Sequence, residues 1–164
     1  MNRRKTLKIL GGSAVGIAGL VFADWKWQII DGLTHKGFFT LSQEKMISKI
    51  AETIIPEGLP PILPNSQAKP IGALSTGTDQ YMIKVIEHCY EKEDQEIIKT
   101  FLNSLEDEGF LKGNKQDREE MLLALESSEN ENEKEFFKTM KSETITGFTT
   151  VKEVMVDYRN YKVA

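Results

Sequence analysis

The chain has 164 residues, 40% hydrophobic and 28% charged, with 21 Lys+Arg against 25 Asp+Glu, five Pro, two His and one Cys. That length suits one core of modest size, and the composition excludes wholesale disorder and a multi-span membrane protein. A net charge of −4 disfavours nucleic acid as a partner, one cysteine closes no internal disulfide, and two isolated histidines make no zinc set.

Residues 1–23 read as an export signal and not as fold. Arg3, Arg4, Lys5 and Lys8 open the chain, and Ile9 to Ala23 follow without a charge. A membrane-spanning helix needs about 20 apolar residues. This run is shorter and carries Gly11, Gly12, Gly16 and Gly19. Val21-Phe22-Ala23 stands before Asp24 where a signal peptidase would cut. The opening Asn2-Arg3-Arg4-Lys5-Thr6-Leu7-Lys8 resembles a twin-arginine address through Arg3, Arg4, Leu7 and Lys8, with Thr6 where an aromatic is usual. Such addresses are read by a receptor and direct folded cargo to the periplasm. Two alternatives are an ordinary secretory signal and an uncleaved anchor with Trp25 and Trp27 at the headgroups, which would be the chain's only attachment to a membrane. The glycines lack the spacing of a nucleotide fingerprint. Without residues 1–23 the chain has 17 Lys+Arg against 25 Asp+Glu, a net charge of −8.

Residues 24–38 are expected to be a linker and residues 39–164 an all-α bundle of about five helices with one long Pro-rich loop. Thr40 with Gln43 has the pattern of a capping box. Met46, Ile47, Ile50, Ala51 and Ile54 then form a stripe at three- and four-residue spacing, and Pro56 ends the helix. All five prolines lie between residues 56 and 70. With Gly58, Gly72 and Gly77 they make a connection of about 20 residues, beyond ordinary loop length and therefore either disordered or functional, in the second case a candidate arm.

Thr78 and Asp79 open a second helix with Met82, Val85, Ile86 and Cys89 inward. The third, Lys92 to Asp107, has the stripe Ile97, Ile98, Phe101, Leu102 and Leu105. Gly109 and Gly113 punctuate the chain before a fourth helix marked by Met121, Leu122 and Leu125. Phe136, Phe137, Met140, Thr144 and Ile145 mark a fifth, with Gly147 as its terminator. Phe148 to Ala164 is expected to hold a short helix and an extended tail. No alternation is long enough for a sheet.

Chemistry is sparse. His35 and His88 sit at no metal-ligand spacing, and a core Cys89 beside a partly exposed His88 is the simpler reading than a Cys–His pair. A bridge from Cys89 to another subunit is the minor alternative. Glu91, Glu93, Asp94 and Glu96 lack the glycine and terminal glutamate of a calcium loop and suit a solvated helix start. Glu126, Glu129, Glu131, Glu133 and Glu135 read as a wet face. No catalytic, cofactor-binding or metal-binding residue is assigned.

Phe39-Thr40-Leu41-Ser42-Gln43-Glu44 and Ile50-Ala51-Glu52-Thr53-Ile54-Ile55-Pro56, followed by Pro70-Ile71-Gly72-Ala73, His88-Cys89-Tyr90 and Gly147-Phe148-Thr149 through Tyr158, resemble the subunit 3 (gamma) family of gluconate 2-dehydrogenase. The loop is longer and richer in proline than that family's, and relatives usually run past Ala164 into a cysteine-containing tail. The resemblance implies a non-catalytic subunit that holds no cofactor itself. It would assist export, maturation and stability of a large FAD-binding (GMC-type) dehydrogenase subunit in the periplasm. That partner oxidises a sugar, sugar acid or glycoside and often passes electrons to a cytochrome c. Pro56, Pro60, Pro61, Pro64, Pro70 and Ile71 are the candidate partner contacts. The residues alone also admit a stand-alone binding or scaffold domain, membrane-tethered through residues 1–30, and a small enzyme using Cys89.

Overall fold

A computed structural model of the chain describes residues 37–60 and 69–158. The export residues Arg3, Arg4, Leu7 and Lys8, His35, the two Trp, Pro61, Pro64 and the tail from 159 lie outside the described residues. The chain divides after Leu41 into two units. Of the first, residues 37–41 are described, with the Phe38 and Phe39 rings meeting edge-on at 4.8 Å.

The rest is all-α, as expected: α1 (Leu41–Ile54), α2 (Thr78–Cys89), α3 (Lys92–Asp107), α4 (Lys115–Ser127) and α5 (Glu131–Thr150), then a π-helical turn over Val154–Tyr158. No strand occurs among the described residues, only an isolated antiparallel bridge between Leu59 and Ile71. None of the described helices is long and apolar enough to cross a membrane.

The local causes are legible in the residues. On α1, Met46, Ile47, Ile50 and Ala51 are fully buried, and the helix stops two residues short of Pro56. Gln43, buried beside them, gives its amide to Asn103 of α3 at 2.9 Å. α4 starts with a reciprocal cap: the Asp117 amide donates to the Asn114 side chain and the Asn114 amide to the Asp117 carboxylate. That cap satisfies two otherwise orphaned donors. Arg118 then ties α4 to α1, donating to the Gly113 carbonyl at 2.6 Å and to Thr53 at 3.2 Å.

α5 is the central helix, in contact with α2, α3, α4 and the π-turn. Its first half buries Phe136, Phe137 and Met140, and its second half Thr144, Gly147 and Phe148. Gly147 is therefore not a terminator. A side chain there would stand 2.5 Å from the Tyr81 ring and 3.2 Å from Thr78, so the glycine is where α2 crosses α5 closely. Three further expectations are corrected. Ile97 and Ile145, assigned to stripes, are exposed at 39% and 45%. Cys89, assigned to the core of α2, is exposed, and Ile83 is buried on that helix instead. α3 and α5 thus bury narrower faces than their apolar residues suggested.

Candidate functional site

Two places stand out, one gathering residues singled out by the sequence and one lying beside His88 and Cys89. The first is the base of the Pro-rich connection. Its two limbs are tied by main-chain hydrogen bonds: Leu59 N–H to Ile71 O at 2.9 Å, Ile71 N–H to Leu59 O at 3.2 Å, and Ala73 N–H to Ile55 O at 3.2 Å. The Glu57 carboxylate reinforces them by accepting from the amides of Leu74 and Ser75 at 2.8 and 3.0 Å. Gly72 makes this possible. A Cβ on it would lie 2.5 Å from the Glu57 Cα and 2.6 Å from the Pro56 carbonyl oxygen, so only hydrogen fits between the limbs.

Beneath this neck, Phe148 of α5 and Val154 of the π-turn form a small cluster on which Ile55, Leu59, Ile71 and Val151 pack. Of the candidate partner contacts, Pro60 and Pro70 are exposed while Pro56 and Ile71 are half-buried, Ile71 against that cluster. The structure thus brings Pro60 and Pro70 out to solvent on a firmly rooted stalk. Loop ends held this way confine the ordering cost to the residues between them.

The second place is the corner between α2 and α3, built by residues that sequence reasoning missed. Tyr90 turns the chain and donates its hydroxyl to Glu143 of α5 at 2.7 Å. Tyr81, one face back on α2, reaches the other oxygen of the same carboxylate at 3.3 Å. Gln95 is buried and gives its amide nitrogen to the carbonyls of Ile86, Glu87 and Tyr90 at 2.9–3.0 Å. It caps the C-terminus of α2 from the next helix, satisfying acceptors that a helix end leaves open. No local signal foretells these partners, because Tyr81 and Glu143 are 62 residues apart in the chain.

Burial is the main reason both tyrosines hold their protons above the ordinary phenol value. For Tyr90 the hydrogen bond to Glu143 adds most to it, and for Tyr81 the Glu143 charge does. At neutral pH both are donors and neither is a base, so the trio clamps a corner and offers no proton transfer. His88 and Cys89 sit on its outer side, both exposed; the His88 ring lies 3.7 Å from the Glu87 carboxylate. Among the described residues no group of three or more His, Cys, Asp or Glu is placed to hold a metal.

Shallow clefts indent the surface between helices. One, of about 300 Å³, is apolar and lies between the end of α1, α4 and α5, beside Ile54, Leu123 and Phe137. Another, of about 290 Å³, lies between the start of α3 and α5, beside Tyr90, Ile97 and Phe136. Both suit a side chain of another protein more readily than a large ligand.

Compared with protein families, residues 42–164 match the family model described as gluconate 2-dehydrogenase subunit 3. The comparison with curated proteins gave no match, and neither did that with solved structures. The chain belongs to the gluconate 2-dehydrogenase subunit 3 family. That description is of one subunit of a dehydrogenase complex, and it implies a partner subunit.

Proposed function

We propose that this member of the gluconate 2-dehydrogenase subunit 3 family is a non-catalytic accessory subunit of a periplasmic FAD-dependent dehydrogenase. In this reading it assists export, maturation and stability of a large GMC-type flavoprotein that oxidises a sugar, sugar acid or glycoside. The observation that carries it is the family match across residues 42–164. The Arg3-Arg4 start supports it, since such an address moves folded, cofactor-loaded cargo. The exposed Pro60 and Pro70 at the two ends of the Pro-rich connection support it too, as roots from which a partner could be contacted.

In this reading FAD and the redox chemistry belong to the partner, with a cytochrome c as a further acceptor.

Purification of the tagged full-length chain from its own cells tests this. A flavin-containing large subunit should accompany it, and sugar-dependent reduction of an artificial acceptor should belong to the complex alone. Deleting the gene should strand the flavoprotein in the cytoplasm or leave it inactive. Fully active, exported flavoprotein in the deletion strain would refute the proposal, as would turnover by the isolated chain.

A further inference from the structure

We infer that the cleft between α3 and α5 is an anchor site for an arginine side chain of the large subunit, received between Asp94 and Glu135. The inference rests on the accessory-subunit reading and adds to it a place and a chemistry of contact.

The cleft has two kinds of wall. Ile98 and Phe136 form an apolar floor and are 3% and 2% exposed, while Ile97 stands beside them with 39% of its surface open. An exposed isoleucine at the edge of a cavity is a ready surface for an aliphatic stem. Tyr90 closes one end, and its hydroxyl is already committed to Glu143. The other wall is polar: Asp94 from the first turn of α3 and Glu135 from α5 are its charged members, with the neutral Asn132 and Thr139 of α5 beside them.

Charge complementarity selects the occupant. No Lys or Arg lines the cleft. Asp94 makes no ion pair among the described residues, and Glu135 has only the exposed Lys138 of its own helix at 3.2 Å. Exposed pairs of that kind contribute little and exchange easily. The chain from residue 42 onward has 15 Lys+Arg against 23 Asp+Glu, so the surrounding field also draws a cation. A planar guanidinium donates to two carboxylates through its fork of N–H groups while its stem covers apolar surface, which an ammonium does less well. By contrast, the cleft beside Leu123 includes Lys141 as well as Glu119 and carries no such preference.

Two measurements test the anchor. In the first, the full-length chain carrying D94N and E135Q is used to capture the flavoprotein at a series of salt concentrations. The control is E119Q with E126Q, which removes the same charge from α4. The D94N/E135Q chain should bind about ten-fold more weakly than wild type at low salt and lose most of the salt dependence, with the control within about two-fold. In the second, arginine amide and citrulline amide are titrated against the chain and the Ile97 methyl signals followed by NMR. Arginine amide should shift them, and citrulline amide should not.

If wild type captures the flavoprotein and D94N/E135Q captures it as tightly at every salt concentration, the anchor is wrong while the accessory role stands. Equal response, or none, to the two amides also overturns the anchor. If wild type captures no flavoprotein, the accessory role itself falls and takes the anchor with it.

Discussion

The two connections that flank α2 solve the same problem with opposite means. Between α1 and α2 the chain wanders from Ile55 to Gly77, and its limbs are joined by main-chain hydrogen bonds around a glycine with no room for a methyl. Between α2 and α3 only Tyr90 and Glu91 intervene, and the corner is held by side chains, Gln95 and the Tyr81–Glu143–Tyr90 trio. A long excursion needs a fastening that does not depend on what lies beyond it, and backbone groups supply one. A tight corner leaves helix-end carbonyls open, and only a side chain from the next helix is near enough to fill them.

Substitutions should rank the two fastenings. Gly72→Ala drives a methyl into the Glu57 and Pro56 backbone, which cannot step aside, and is expected to cost about 3 kcal/mol in urea unfolding. A loss under about 1 kcal/mol would mean that the neck opens readily. Gln95→Ala leaves three carbonyls of the corner without their donor and should cost about 2 kcal/mol, with faster amide exchange at the end of α2. Glu143→Gln keeps an acceptor for one phenol and should cost about 1 kcal/mol.

The trio also gives a pH dependence of known sign. Tyr81 and Tyr90 hold their protons above the ordinary value of 10.0, by burial first and Glu143 after it. Their contribution to stability is therefore whole below pH 10 and fades as the pH climbs through the raised values. Tyrosinate absorbance should show both phenols titrating late, and Glu143→Gln should bring them only part of the way back. At the small end, Cys89→Ser should change stability by less than about 0.5 kcal/mol, since the thiol is exposed.

Much of the backbone was legible in the chain. Thr78 and Lys92 start helices where the sequence placed them, Pro56 marks an end, and Asp107 closes α3. Periodicity finds a helix through its apolar face but does not say how wide a face its neighbours cover. Ile97, Ile145 and Cys89 each lie at the margin of a stripe, and each proved exposed. Gly147 misled for a related reason. A glycine late in a helical pattern reads as a stop, yet here it admits Tyr81 from a helix more than 60 residues earlier. The corner was invisible in the sequence because its members share no spacing, only a place reached after folding. The Pro-rich arm stood out because composition alone marks it.

The neck under that arm has an outcome beyond this one chain. With Leu59 and Ile71 paired beneath it, the span from Pro60 to Pro70 can be lengthened or rewritten at little expense to the helices, doubling its length costing only about 0.6 kcal/mol. Descendants of one scaffold can thus change companions by editing the span above a fixed Leu59–Ile71 pair, and an engineer grafting a recognition peptide there would leave that pair in place.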